Sequence, residues 1–278
     1  MTYFSAFLLG LVQGVAEFLP ISSSGHLALA HNFFGTADEK DLAFGFDILL
    51  HFGTLVAVFI VYHKDIWLLI KGFFSLMKKL FTGKIKDGLE YGEKLFLMLA
   101  LSSVVLVPVA FFSDKVEALS GVSWAIGLLL IVNGVMLFVS DKLNRASLTL
   151  EKAPVSKAFY IGLFQLFGVL PGISRSGSTI TGGLFNNLER KDAIKFSFLM
   201  SIPTILGANL LSLIKYDGNF FADVSLGPCV AGVLTALVTG IGAIKLLQYL
   251  AKNKSFGIFS VYCLAVGVAA IAADLLIA

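Results

Sequence analysis

The chain has 278 residues, of which 57% are hydrophobic and 14% charged, and its mean hydropathy is +0.89. These values exclude an ordinary soluble domain and indicate a polytopic membrane protein. The net charge is only +3, and we expect no nucleic-acid partner. Cys229 and Cys263 stand far apart in apolar segments, so they predict neither a disulfide framework nor a metal site.

Apolar runs along the chain predict where it crosses the membrane. A transmembrane helix needs about 20 apolar residues, and six runs pass this test: 42–62, 94–112, 122–140, 192–214, 225–248 and 256–277. Two further regions, 2–34 and 156–187, are interrupted by polar residues, and their second pieces are too short to span. Both regions predict re-entrant helical hairpins, because non-helical backbone is tolerated at membrane depth only inside protein or against a watery cavity.

The two interrupted regions also resemble each other in sequence, at an offset of 152 residues. The predicted halves are residues 1–140 and 155–278, each with one hairpin and three spanning helices. Since three is an odd number of crossings, the halves are inverted, and the predicted fold is an all-α, inverted-topology repeat. The matching positions are Gly10-Leu11, Gln13, Ile21-Ser22 and Ser24-Gly25 in the first half, and Gly162-Leu163, Gln165, Ile173-Ser174 and Ser176-Gly177 in the second.

The placement of basic residues predicts the orientation. With these crossings, seventeen Lys and Arg residues fall on one side, three on the other, and Arg175 lies within the membrane. Short cytoplasmic loops collect Lys and Arg, so the first side is cytoplasmic and both termini lie outside. The connection at 63–93 mixes lysines with phenylalanines, and it predicts equally an interfacial amphipathic helix or a basic loop.

A polar motif at 171–179 interrupts the second hairpin and carries Arg175. An ionised guanidinium at membrane depth costs roughly 2.5–3.5 kcal/mol, so it needs a buried partner or an anionic ligand. A planar guanidinium beside a half-helix N-terminus suits phosphate oxygens. The motif predicts a site for phosphate oxygens, which contains Arg175, Ser174, Ser176 and Gly177, with Thr179 in support.

The first hairpin has a matching tip, in which Ser22, Ser23 and Ser24 precede Gly25 and His26. Helix capping explains most of these serines as well as ligand binding does. As ligands, Ser22 and Ser24 would join this phosphate site. A serine, an imidazole and a carboxylate are the parts of a nucleophile, its base and an orienting group, so Ser23 and His26 are catalytic candidates together with Glu17.

Glu17 lies toward the deep end of the helix before this tip, and Gln13 shares its helix face four residues earlier. The carboxylate has three interpretations: a catalytic group, a ligand of a divalent cation, or a salt bridge to Arg175 without chemistry. Asp47 and His51 form another pair four residues apart. We place them as supporting residues in the cavity wall, with a simple mutual pair as the alternative.

The stretches QGVAEFLPISSSGH at 13–26 and PGISRSGST at 171–179 resemble the motifs of the undecaprenyl-pyrophosphate phosphatase family, also called bacitracin-resistance proteins. The resemblance extends over essentially the whole chain. It implies a membrane hydrolase that converts undecaprenyl diphosphate to undecaprenyl phosphate and inorganic phosphate, recycling the carrier lipid for cell-wall synthesis. It further implies a Mg or Ca cofactor, and a site that opens to the outer face of the bacterial cytoplasmic membrane.

By position, the resemblance assigns functional roles to Glu17, Ser23, His26 and Arg175, with Glu17 as the metal ligand. Gln13 stands where many members have glutamate, so this chain has one carboxylate fewer for a cation. We expect Ser23, activated by His26, to attack the terminal phosphorus, and a direct His26 nucleophile remains the alternative.

The expected partners are a polyprenyl diphosphate lipid and the bilayer, and the sequence is compatible with a homodimer. A transporter or flippase for a phosphorylated polyprenyl lipid is the other function considered, because inverted repeats with broken helices are also a transporter architecture.

Overall fold

The computed structural model describes residues 1–35, 40–84, 88–143, 147–215, 226–253 and 255–277. Within these ranges the chain is helical and has no strands, apart from one isolated bridge between Leu148 and Leu188. The helices are α1 (Tyr3–Phe18), α2 (Ser23–Phe34), α3 (Lys40–Val61), α4 (His63–Phe81), α5 (Tyr91–Val104), α6 (Ser113–Ser120), α7 (Ser123–Leu143), α8 (Ser156–Phe167), α9 (Arg175–Phe185), α10 (Arg190–Lys215), α11 (Leu226–Asn253) and α12 (Gly257–Ile277).

The described residues contain five helical stretches that are long and apolar enough to cross a membrane, and the bent pair of α3 and α4 adds a sixth when it is counted as one span. These stretches overlap the six runs identified in the sequence, although α4 lies beyond the predicted run 42–62. The prediction of an all-α polytopic membrane protein is therefore confirmed at this level. The five stretches are Tyr91–Ser120, Ser123–Lys142, Arg190–Ile214, Leu226–Lys252 and Gly257–Leu276.

Helix α4 occupies most of the basic connection after α3, and the two helices meet at an angle of 85°. Of the two interpretations of residues 63–93, a helix is what forms over His63–Phe81. Gly72 of α4 lies against the backbone of Gly92, so the two helices approach closely. Lys79 Nζ is 2.8 Å from the buried Glu93 carboxylate, which fixes α4 to the start of α5.

The run predicted as one helix over 94–112 is interrupted. Helix α5 ends at Val104, and a 3-10 helix follows over Val107–Phe112 with Pro108 at its start. Proline has no backbone N–H and disfavours the α conformation of the residue before it, so α5 cannot continue through Val107 as a regular α-helix.

Both polar interruptions coincide with breaks between two short helices. Helix α1 ends at Phe18 and α2 begins at Ser23, while α8 ends at Phe167 and α9 begins at Arg175. The residue before each new helix is a serine that caps it: Ser22 Oγ accepts a hydrogen bond from Gly25 N (3.2 Å), and Ser174 Oγ accepts one from Gly177 N (3.1 Å). These caps satisfy backbone amides that have no partner inside the helix.

Small residues let the helices around these breaks pack closely. Gly10 of α1 lies against the backbone of Gly232 in α11, and Gly162 of α8 lies against that of Ser102 in α5. Gly127 of α7 and Gly267 of α12 each lie against the carbonyl oxygen of the other. Such close backbone approach is typical of helix interfaces in membranes, where packing rather than the hydrophobic effect joins the helices.

Candidate active site

The two helix breaks lie in direct contact. Ser22 Oγ accepts a hydrogen bond from Gly172 N (3.1 Å) in the second break, besides its capping bond. Ser176 Oγ donates to Leu19 O (3.3 Å) in the first break. A side chain on Gly25 would meet the backbone of Gly172, so glycine is required for this approach. The structure thus brings together the two polar interruptions of the sequence.

Asn133 of α7 connects the two breaks from a third helix. Its Nδ2 donates to Pro20 O (2.9 Å), and its Oδ1 accepts from Ser174 N (3.1 Å). The side chain is fully buried. One amide thus satisfies a carbonyl of one break and an N–H of the other, which fixes their relative position.

Arg175 projects from the first turn of α9 into the region between the breaks. Its Nη2 lies 2.6 Å from Glu17 Oε1, and its Nη1 donates to the carbonyl oxygen of Ser197 in α10 (3.2 Å). The Arg175 side chain is 11% exposed and that of Glu17 7% exposed. The ion pair considered in the sequence analysis therefore forms.

Glu17 also accepts a hydrogen bond from Ser23, the residue that the sequence analysis predicted as the nucleophile. Ser23 Oγ donates to Glu17 Oε2 (2.7 Å), and Gln13 Nε2 donates to the same oxygen (3.1 Å). Ser23 begins α2 and is partly exposed, whereas Gln13 is fully buried. The serine is thus both reachable and oriented by a carboxylate, which is the arrangement that a nucleophile requires.

His26 lies one turn into α2 and has different partners. Its Nδ1 donates to Ser22 O (2.7 Å), and its Nε2 is 2.8 Å from the hydroxyl of Tyr262 in α12. The two rings stack with centroids 5.6 Å apart. The imidazole is therefore held beside the first break, and the hydroxyl that the structure pairs with it belongs to Tyr262.

The remaining serines and threonines of the motifs differ in access. Ser24 is exposed, while Ser22, Ser174 and Ser176 are at most 2% exposed. Thr179 is also buried and bonds the carbonyl oxygen of Arg175 (2.9 Å) and the hydroxyl of Ser197 (2.6 Å). In this structure the buried members hold the breaks in shape, and Ser24 is open to a ligand.

Asp47 and His51 of α3 lie at the edge of this cluster. His51 Nε2 is 3.8 Å from Glu17 Oε2, and its Nδ1 donates to Asp47 O (2.7 Å). Asp47 Oδ2 is 3.8 Å from His31 Nε2. The structure thus places His51 next to the Glu17 carboxylate, and Asp47 is linked to Glu17 through His51.

The side-chain oxygens of Glu17 and Gln13 fit a divalent cation that takes most of its ligands from substrate and water. The described residues contain no group of three His, Cys, Asp or Glu side chains that could hold a metal. Gln13 Oε1, however, is buried without a hydrogen-bond partner beside Glu17. Mg²⁺ is commonly bound by one or two protein oxygens together with substrate phosphates and water, which this pair can supply.

Three contributors to the site were not predicted by the motifs: Asn133, Ser197 and Tyr262. Asn133 and Ser197 lie inside apolar runs, where a polar side chain indicates an interhelical hydrogen bond. That signal indicates that Asn133 and Ser197 form interhelical hydrogen bonds, but it does not identify the residues to which they bond. Tyr262 carries no such signal, because tyrosine is common in membrane helices.

The fold and the site define a multi-pass membrane protein with a charged serine–arginine–glutamate cluster at the junction of two broken helices. Over residues 6–269 the chain matches the family described as Bacitracin resistance protein BacA, and it belongs to that family. It is 39% identical over 269 residues to an undecaprenyl-diphosphatase of Alkaliphilus metalliredigens, covering 96% of this chain and 97% of the relative.

Similar proteins occur in distant organisms. The chain is 39% identical over 270 residues to an undecaprenyl-diphosphatase of Treponema denticola, covering 96% of both chains. It is 36% identical over 273 residues to one of Methanobrevibacter smithii, again covering 96% of both.

Proposed function

We propose that the protein is a membrane phosphatase that hydrolyses undecaprenyl diphosphate to undecaprenyl phosphate and inorganic phosphate. The observation that carries the proposal is the contact of Arg175 and Ser23 with one carboxylate, Glu17, at 2.6 and 2.7 Å. An anion-binding group and a nucleophile thus lie on either side of the same oxygen pair. Recycling of the carrier lipid for cell-wall synthesis follows from this activity.

The terminal phosphate binds by replacing one partner of Arg175. The guanidinium is already fixed through Ser197 O, so it offers its remaining N–H groups to phosphate oxygens in a fixed geometry. Ser24, which is exposed, adds a hydroxyl. Preorganised donors of this kind stabilise the charge that develops during phosphoryl transfer.

In the chemical step Ser23 Oγ attacks the terminal phosphorus, and the bond from phosphorus to the bridging oxygen breaks. Undecaprenyl phosphate leaves, and water then hydrolyses the phosphoserine to release inorganic phosphate. The sequence led us to expect His26 as the base. Because Ser23 donates a hydrogen bond to Glu17, we instead expect Glu17 to accept the proton of Ser23. His26 retains the alternative role of direct nucleophile.

Glu17 and the Gln13 amide oxygen would hold a divalent cation, Mg or Ca, which supplies charge neutralisation for the diphosphate. Gln13 Oε1 supports this proposal because it is a buried oxygen without a partner.

We place the protein in the bacterial cytoplasmic membrane as two inverted halves, each with a re-entrant hairpin, and with the site open to the outer face. The matching caps at Ser22 and Ser174 support the repeat. So do Gly10 and Gly162, 152 residues apart, which lie against α11 and α5 respectively. The prenyl chain stays in the bilayer, and an apolar groove of about 340 Å³ along α7 offers it a surface.

The proposal is tested by phosphate release from undecaprenyl diphosphate in detergent with Mg²⁺. We expect Arg175→Ala to lower kcat/KM at least about 100-fold, the effect of removing one charge-stabilising donor. Arg190→Ala is the matched control, since Arg190 pairs with Asp141 outside the site. Well-folded wild-type protein that releases no phosphate, yet binds the lipid, would instead support the transporter.

A further inference from the structure

A basic cavity lies between α10, α11 and Tyr62, the residue between α3 and α4. Its volume is about 520 Å³, and its lining includes Lys191, Lys195, Lys245 and Lys252. Lys195 Nζ is 3.3 Å from Asp65 Oδ1 of α4, so this lysine is already paired. The other three lysines are exposed and leave the cavity with an excess of positive charge.

Buried aromatic rings separate this cavity from the serine–arginine cluster. Phe18 follows Glu17 in the chain, and its ring meets that of Phe198 edge to face at 5.3 Å. Phe198 in turn contacts Tyr62 at 6.0 Å, and Tyr62 lines the cavity. Both phenylalanines are fully buried. The cavity is therefore a second site and not an extension of the first.

Two of the exposed lysines lie at the ends of membrane-spanning helices, and Lys245 lies two turns before Lys252 on the same helix. Lys191 is in the first turn of α10, and Lys252 is in the last turn of α11. Helix ends lie at the level of lipid headgroups, where basic pockets between spanning helices attract anionic lipids. Gln248 and Tyr62, joined by a hydrogen bond of 2.8 Å, add neutral polar groups to the lining.

An apolar surface leads away from the cavity along α11. Leu234, Val238 and Leu246 are between 46% and 67% exposed, and Tyr249, which lines the cavity, is 62% exposed. The charged end and the apolar surface together match a molecule with an anionic head and an acyl chain. A soluble phosphate would use the lysines but not this surface.

We propose that this cavity binds an anionic phospholipid, with the headgroup phosphate among Lys191, Lys245 and Lys252 and an acyl chain along α11. Each lysine contributes through charge, since an ammonium group binds phosphate as a point charge. The site is independent of the proposed phosphatase reaction, because none of its residues contacts the serine–arginine cluster in the described structure.

Native mass spectrometry of the full chain in detergent, titrated with phosphatidylglycerol or phosphatidylcholine, tests the site. We expect Lys191→Gln/Lys245→Gln/Lys252→Gln to weaken phosphatidylglycerol binding on the order of 100-fold, at about fivefold per lysine. The matched control Lys71→Gln/Lys78→Gln/Lys84→Gln removes the same charge from α4 and the turn that follows it, and it should keep the tight site. The corresponding triple arginine variant should also keep it.

Equal loss in the two glutamine variants would overturn the proposal, as would equal binding of phosphatidylcholine. Displacement of phosphatidylglycerol by millimolar inorganic phosphate would assign the lysines to a soluble anion and overturn the lipid assignment. Should the triple glutamine variant fail to fold, Lys252→Gln alone must weaken binding about fivefold. Phosphate release from undecaprenyl diphosphate, measured in parallel, should stay unchanged in the cavity variants.

Discussion

At the scale of single residues, the main question is which side chain attacks phosphorus. Ser23 and His26 are three positions apart on α2, yet only Ser23 is hydrogen-bonded to Glu17. His26 has both ring nitrogens occupied, by Ser22 O and the Tyr262 hydroxyl. These contacts favour the serine as nucleophile and give the histidine a fixed orientation beside it.

Trapping a phosphorylated intermediate distinguishes the two. We expect radiolabel from the terminal phosphate to survive acid treatment, because phosphoserine is stable in acid and phosphohistidine is not, and to map to Ser23. Ser23→Ala should abolish the label and lower kcat at least about 1,000-fold. Ser103→Ala, which removes a hydroxyl of α5, is the control and should keep both. Acid-labile label on His26 would contradict the serine mechanism.

The sequence predicts these candidate residues but not the contacts that hold them in position. Glu17, Ser23, His26 and Arg175 stand in two motifs whose residue types already indicate phosphate chemistry. Asn133 does not: its partners are a carbonyl and an N–H that become neighbours only when α7 packs against both breaks. Contacts between helices far apart in sequence depend on packing, which hydropathy and spacing do not encode.

At the scale of helices, glycine determines how closely α1 approaches α11. Gly14 lies one turn before Phe18 on α1, and a side chain there would meet Ala236 and Thr239 of α11. The same helix carries Gln13 and Glu17. A displacement of α1 by larger side chains would therefore move the central carboxylate as well as loosen the helix pair.

We expect Gly14→Leu to destabilise the protein by about 1–3 kcal/mol, or more, through overpacking. Its phosphate release should fall together with its thermal stability in detergent. Gly207→Ala on α10 is the control, because nothing lies within 4 Å of the added methyl group; it should unfold at the same temperature or higher, since alanine favours helix. Unchanged stability of Gly14→Leu would show that α1 and α11 are not closely packed.

Helix boundaries could be predicted where the sequence changes from apolar to polar residues, but not where a helix ends inside an apolar run. The breaks before Ser23 and Arg175 coincide with the polar motifs. The end of α5 at Val104 falls inside an apolar run that was predicted as one helix, and Pro108 follows it. The angle of 85° between α3 and α4 falls where no proline or glycine interrupts the sequence.

At the scale of the whole molecule, the proposed orientation rests on the distribution of basic residues. Glu117 of α6 and Lys152, which follows α7, would face opposite sides of the membrane. Both lie outside the hydrogen bonds of the proposed site. They therefore suit single-cysteine labelling. The two native cysteines, Cys229 and Cys263, are buried, and both are replaced by alanine for this experiment.

We expect Glu117→Cys to react with a membrane-impermeant maleimide on intact cells. Lys152→Cys should react only after permeabilisation, because positive loops stay in the cytoplasm. Labelling of both from outside would contradict the six-span topology, and the reverse pattern would invert the whole orientation. Phosphate release by each variant confirms that the labelled protein is folded.

The contact between the two breaks has a mechanical consequence. Hydrogen bonds between Ser22 and Gly172, Ser176 and Leu19, and Asn133 and Ser174 join residues 1–140 to residues 155–278 at the breaks. Rocking one half against the other would have to break these bonds, at about 0.5–1.5 kcal/mol each in net terms. In the proposed inverted repeat, these bonds oppose the rocking by which transporters of that architecture move cargo, so the half-helices stay in place while the lipid enters and leaves.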